Sequence, residues 1–395
     1  MSGKLFHLLV ATSVCFSALP SIGSETNAPS DKVSMRDSED GKLDMSAYLA
    51  SAHGFLPVPI IITEPAIGYG GGLMLMFLHD SIHNRAQKVK ERNPDGSPVR
   101  LPPPSVTGVM GFGTENGTWG ASAFHMGIWK NDAIRYLGAL AYASVNYDFY
   151  PAENSRLPVE YIPINMESAF LLQQMTFRLG KSDFLAGANY KLRSSTAKPD
   201  IAFNLPPPVD NGSNLQSSGA SGILTFDNRD SIFTPDKGLN CEFEWTHYAD
   251  WLGSDTEFNI ASWKNRGWYP LTESLILGLR IDGTGSGGTV PFYMKPDIGI
   301  RGIQSRRYIG DYVLTAETEL RWDFTKRWSA VGFIGTGWRA NGGVSDFSAE
   351  NNHPAGGVGF RYLIARVFQL RAGIDIAVSE EGNAFYITTG NGWKR

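Results

Sequence analysis

The chain of 395 residues contains only two cysteines, Cys15 and Cys241. Two thiols cannot build a disulfide framework, and Cys15 stands in a segment expected to be removed. Past the N-terminus no run of about 18 apolar residues occurs, so no transmembrane helix is expected. Charged residues make up 19%, and 35 basic against 39 acidic side chains leave a net charge of −4. That balance gives no polycation for nucleic acid. Helix-period segments are missing, which excludes a coiled coil. Metal ligands are not clustered: His125, His247 and His353 are scattered. A Gly-x-Ser-x-Gly elbow is lacking. Gly283-x-Gly285-x-x-Gly288 matches a dinucleotide pattern, but no helix follows it. No cofactor and no catalytic group is expected.

What the sequence has in quantity is glycine, 44 residues, and aromatics, at 12%. The N-terminus reads as an exported leader: Lys4, an apolar run from Leu5, then small residues at Ser21-Ile22-Gly23. Residues 1–23 are therefore expected to be a signal peptide. Residues 24–53 are polar, without apolar periodicity, and are expected to form a flexible periplasmic tail too short for a domain. A single domain is expected to fill 54–395.

From about residue 67 onward the chain alternates with period two, the mark of strands with two unlike faces. Leu314, Ala316, Thr318, Leu320 and Trp322 alternate with Thr315, Glu317, Glu319 and Arg321. Phe368, Leu370, Ala372, Ile374 and Ile376 alternate with Gln369, Arg371, Gly373 and Asp375. Segments of about ten residues, bounded by turn residues, suit strands crossing a bilayer at a tilt. A soluble sandwich also alternates. Full charges on one face suit a wet lumen instead, and aromatics such as Trp245, Trp322, Phe360 and Tyr386 on the other suit interfacial girdles. The fold class expected is all-β, a transmembrane antiparallel barrel. Fifteen strands are placed from residue 67 onward, and an even number is required. The long connections 79–103, 195–216 and 284–311 share one side only if another crossing lies between 80 and 182. Residues 157–166 are the expected place, giving sixteen strands.

Three C-terminal segments resemble the bacterial surface-antigen barrels, the superfamily of the outer-membrane protein insertase, the translocation and assembly module and two-partner secretion transporters. Gly222-Ile-Leu-Thr-Phe-Asp227-Asn-Arg229-Asp230, followed by Phe233-Thr-Pro235-Asp-Lys-Gly238, resembles its strand–turn–strand signature. Gly299-Ile-Arg301-Gly302-Ile303 resembles the tip of its long inward-folded loop. Glu317-Thr-Glu319-Leu-Arg321 and Phe333-Ile-Gly335-Thr-Gly337 stand where the next two strands carry motifs. Ile303 replaces the usual aromatic, Gly335 the usual acid, and residues 24–53 leave no room for periplasmic repeats.

The resemblance implies that Arg301, Gly302 and Ile303 fold into the lumen as a plug. It implies partners for that loop among Asp282, Glu317, Glu319, Arg321, Phe333 and Gly337. It also implies a closing seam between first and last strands, expected at Gly70, Gly71 and Gly72 on one side and at Gly390 and Trp393 on the other. Asp227, Arg229 and Asp230 are expected to shape a periplasmic turn before Gly238. The function implied is insertion, assembly or translocation of polypeptide in the outer membrane. The alternative is a passive pore or structural barrel without that role. Expected partners are outer-membrane lipid and unfolded barrel or secreted polypeptide clients.

Overall fold

The computed structural model describes residues 13–14, 35–37, 39–51, 54–79, 105–150, 160–200, 204–348 and 351–393. A short helix α1 (Ser46–Ser51) precedes the first long strand. Strands β1 (Gly54–Glu64), β2 (Gly68–Leu78), β3 (Val106–Thr114) and β4 (Trp119–Trp129) follow. Next come β5 (Ile134–Phe149), β6 (Ile162–Arg178), β7 (Phe184–Pro199) and β8 (Asn214–Asp227). The second half holds β9 (Gly238–Tyr248), β10 (Phe258–Pro270), β11 (Leu275–Gly288) and β12 (Tyr312–Trp322). The last four are β13 (Trp328–Ala340), β14 (Asn352–Ala365), β15 (Leu370–Ser379) and β16 (Gly382–Thr389).

Fifteen antiparallel ladders join each strand to the next. The sheet curls until β16 returns to β1. No ladder of paired residues joins these two among the described residues; Ser13 and Val14 pair with Ile61 and Ile60 on that edge of β1. This is a sixteen-strand, nearly closed barrel.

The count agrees with the sequence reading, but the placement does not. The sixteenth strand is β1, and residues 162–166 merely open β6. Pro57 and Pro59 hide β1 from a strand search because proline cannot donate to a ladder. They lie two apart and so face the same neighbour. Since β1 pairs with β2 unbroken from Gly54 to Glu64, the missing donors face the seam. Connections after odd-numbered strands share one end of the barrel with the long loop 289–311, here called the loop end. Connections after even-numbered strands share the other, the turn end, with α1 and the C-terminal residues. Leu78 and Val106, where β2 ends and β3 begins, therefore lie at the turn end, opposite to the loop 289–311 and to Pro199 and Asn214, so the three long connections do not share one side.

The outer face carries Leu140, Trp245, Trp322, Ile334 and Phe360, all exposed. Tyr386, expected among them, is buried and points inward. Strands β5 and β6 show why the loop end is closed. Along β5 the outward residues change from Leu140 and Tyr142 to Ser144, Asn146 and Asp148. At the same level the inward residues become Val145, Tyr147 and Phe149, all buried. These strands thus run beyond the apolar belt, wet outside and dry inside. Ile162, Ile164 and Met166 of β6 join the same core, against Phe292, Tyr293 and Met294 of the loop. The rings of Phe149 and Phe292 meet edge-on at 4.9 Å. The charged inner face suggested a wet lumen, yet its loop-end half is packed, an apolar core with Arg193 buried between the Phe170 and Tyr293 rings. Lower down, a cavity of about 200 Å³ remains, lined among others by Phe170, Asn189, Lys191, Glu244 and Lys264.

Part of the range expected to be a flexible tail is folded. Residues 35–51 dock on the turn end, where α1 follows a buried Met45 packed with Ala365 and Leu370.

Candidate functional site

Loop 289–311 enters the lumen and its tip is buried: Arg301 is 3% exposed and Ile303 1%. A guanidinium taken out of water needs charges and hydrogen bonds around it. Arg301 finds three carboxylates. Its Nη2 lies 2.5 Å and its Nε 3.0 Å from Glu317 Oε1. Its Nη1 lies 2.7 Å from Glu319 Oε2 and 3.0 Å from Asp375 Oδ2. The Phe333 ring stacks on the same group, 3.6 Å from Cζ, adding a cation–π contact. Arg361 grips Asp375 from β14, with Nη1 2.5 Å from Oδ1.

The strands place these groups by parity. On β12, Glu317 and Glu319 share the inner face because they are two residues apart. On β13 the inward residues are Phe333, Gly335 and Gly337, and their sizes follow the loop. A Cβ on Gly335 would lie 2.9 Å from Glu317 Cγ, and one on Gly337 2.3 Å from Ile298 Cγ2. Gly302 has φ +97°, a conformation glycine adopts without strain, and its Cβ would crowd Ala355 at 3.0 Å. Its N–H donates to the Tyr386 hydroxyl at 3.1 Å, and its carbonyl accepts from Ser379 Oγ at 2.9 Å. Ile303 packs with Ile298, Ile300, Val313 and Ala355.

Several expected partners lie elsewhere. Asp282 does not reach Arg301; it accepts from Arg280 Nε at 2.7 Å. Arg280 in turn donates to the Gly299 carbonyl at 2.9 Å, so Asp282 acts on the loop indirectly. Arg321 lies near the turn end and pairs with Asp236 and Asp323. Gly70, Gly71 and Gly72 are on β2, paired on both sides, and are not at the seam. They looked like a first strand only because β1 was hidden. Gly390, at φ +81°, ends β16. Trp393 leaves the seam altogether: it is 1% exposed inside the barrel, and its Nε1 donates to Glu317 Oε1 at 2.5 Å.

Asp375, Arg361 and Tyr386 were not among the expected partners of the loop. Asp375 carried a signal, standing on the charged side of its alternating strand, but nothing local links β15 to the loop.

The turn end is crossed by the connection 228–237. Asp227 forks with Arg229, with Oδ1 2.8 Å from Nε and Oδ2 2.9 Å from Nη2. Asp230 Oδ1 accepts from the backbone N–H groups of Ser231, Asp236 and Lys237. Gly238 has φ +110°, and a Cβ there would lie 2.7 Å from Arg229 Cα. The folded connection then spans the mouth: Thr234 Oγ1 accepts from the Arg371 N–H at 3.3 Å. The C-terminal residues close the remaining gap, the Asn391 N–H donating to the Phe233 carbonyl at 2.8 Å.

Fold and lumen together define a class: a sixteen-strand barrel with its eleventh connection anchored inside by a buried arginine. No protein-family model matches the sequence, and no curated protein matches it. Solved structures do match the fold. The chain is similar to BamA from Haemophilus ducreyi lacking POTRA domains 1–3, with a TM-score of 0.55 at 11% identity, over 86% of this chain and 69% of that one. It is similar to CdiB from Escherichia coli, TM-score 0.55 at 11% identity, over 84% of this chain and 61% of that one. CdiB from Acinetobacter baumannii gives 0.51 at 11% identity, over 85% of this chain and 59% of that one. The chain has the barrel fold of these proteins and spans about three fifths of the CdiB chains.

Proposed function

We propose that the chain is an integral outer-membrane barrel that acts in insertion, assembly or translocation of polypeptide, through a lumen its own loop keeps shut. The belt of exposed Leu, Trp, Phe and Ile side chains supports a bilayer as its surroundings, since so large an apolar surface is costly in water. Lipid is then one partner, and the turn end, carrying most of the short connections, faces the periplasm. The role is mechanical rather than catalytic.

One observation carries this reading: the guanidinium of Arg301 is held inside the lumen by Glu317, Glu319 and Asp375. A passive solute pore gains nothing from burying an arginine among three carboxylates to close its own channel. A conduit for occasional polypeptide clients needs such a closure. The resemblance of the loop and turn motifs to the surface-antigen barrels points the same way.

Planar-bilayer recordings test it. The refolded wild type is expected to conduct little, and Arg301→Ala to show frequent large openings. A wild type that conducts steadily, indistinguishable from the variant, would sink the plug and return the chain to a simple pore. Depletion in cells adds the second arm, with other outer-membrane barrels or a surface-exported polypeptide expected to fall in abundance.

A further inference from the structure

Among the described residues no ladder joins β16 to β1, and the segment before β1 is fixed elsewhere. At the turn end, residues 35–37 and 39–51 lie against the connections β12–β13 and β14–β15 before the chain rises as β1. They are fixed on the far side of the seam. Arg327, in the connection between β12 and β13, is 2% exposed. It receives three carboxylates from this segment: Asp37 at 2.5 Å from Nη2, Asp40 at 2.8 Å from Nε and Asp44 at 2.6 Å from Nη1. Arg366, between β14 and β15, takes Asp37 at 3.1 Å and Glu39 at 2.5 Å. Backbone bonds add to these: the Met45 N–H donates to the Ile364 carbonyl at 2.7 Å, and the Val367 N–H to Ser46 Oγ at 3.0 Å. Tyr362 OH donates to the Leu43 carbonyl at 3.0 Å.

On β1 itself, Pro57 and Pro59 remove two donors from the edge that meets β16. Among the described residues, pairing on that edge is confined to Ile60 and Ile61, past the two prolines, which limit it. The first strand is thus poorly held by β16 and well held by its own leading segment, which is bolted two to four strands beyond the seam.

We propose that residues 35–51 are a strap that holds the β1–β16 seam shut from the turn end. Arg327 is its bolt. Any opening of the barrel wall at this seam requires the strap to leave Arg327 and Arg366 first. The strap acts at the seam and the Arg301 loop acts in the lumen, so each can fail without the other.

The test uses the full chain in liposomes on a Cys241→Ala background, with spin labels at Ile61→Cys and Ile387→Cys, outward positions on the two seam strands. The unmodified strap is expected to give one narrow distance. Changing Asp37, Asp40 and Asp44 together to Asn alters no barrel residue, so heat-modifiable migration should persist. In that variant the segment before Gly54 is expected to become cleavable by added protease, and the seam distance to broaden and lengthen. Arg327→Gln should do the same, and Arg327→Lys should do so only partly. A released strap with an unchanged seam distance would overturn the proposal. So would a strap that stays protected after loss of all three carboxylates.

Discussion

At the scale of single residues, Arg301 is the point where loop, wall and C-terminus meet. A Cβ on Gly392 would lie 2.4 Å from its Nη1, so the chain's last turn rests on the guanidinium. Removing it leaves Glu317, Glu319 and Asp375 facing one another without their shared cation. Loss of one partner of a buried pair costs roughly 3–5 kcal/mol, so Arg301→Ala should lower the unfolding free energy of the refolded barrel by that order, seen as a lower urea midpoint. Arg301→Lys should recover only part, because an ammonium cannot fork onto Glu317 while also reaching Asp375. Equal midpoints for all three proteins would show that the network bears no load. Gly337 offers a steric test. Gly337→Val drives a branched side chain into Ile298, which is buried without free space, and overpacking of this kind costs about 1–3 kcal/mol. The expected result is a loosened loop, seen as new protease cleavage within 289–311. Much of this site is legible in the sequence. Arg301 announces itself by motif, and Glu317 and Glu319 by the parity of β12. Asp375 is equally inward on β15, but a pairing between residues 74 apart leaves no local trace.

At the scale of elements, alternation locates most strands because each has a lipid-facing and a lumen-facing side. It fails at β1, where Pro57 and Pro59 mimic a loop, and the error moves the seam by one strand to Gly70–Gly72. It fails differently for residues 35–51, whose order comes from ion pairs to residues nearly three hundred positions away. No periodicity encodes that. The strap also has a pH signature. Hydrogen bonding by the Arg327 guanidinium, helped by the Lys42 N–H, pulls the Asp40 carboxyl down to about 2. At Asp44 burial pushes the carboxyl up, but bonds from Ser46 and Arg327 outweigh it and the pKa is lowered. Groups with depressed pKa stabilise the docked state above their unfolded value and cease to do so as pH falls through the folded one. The strap should therefore hold at neutral pH and weaken from about pH 4 toward pH 2. Protease access to residues 35–51, followed against pH with an acid-active protease, measures this. Lys42, Glu39, Asp37 and Arg366 surround the same spot, and Asp40→Asn should flatten the profile. An identical profile in that variant would assign the transition to another group.

At the scale of the whole molecule, sequence pattern gives a sixteen-strand barrel with charged inner walls. The charged walls are present on β12 and β15, but the interior is mostly filled. At the loop end the long strands β5 and β6 carry apolar inward residues, and β7 adds Arg193 against the Tyr293 ring; these pack the loop 289–311 rather than water. That substitution of core for lumen is visible in the sequence only once the strands are known to overshoot the belt. It predicts that conductance of Arg301→Ala stays below that of an empty sixteen-strand barrel, because Phe292, Tyr293 and Met294 still hold the loop. Adding Phe292→Ser to Arg301→Ala should raise single-channel conductance further. No additional current from the double variant would mean that the charged tip alone sets the closure.

The two closures hang from different parts of the wall. The loop-end core belongs to the connection after β11, and the turn-end bridge to the connection after β8 together with the C-terminal residues. Between them lies the space lined by Lys191, Glu244 and Phe170. The C-terminal residues of that bridge also touch the loop's anchor, Gly392 lying against Arg301 and Trp393 donating to Glu317, so the two doors share a latch. Freeing the Arg301 loop is therefore expected to loosen the turn-end door as well, so the two should open together rather than in turn.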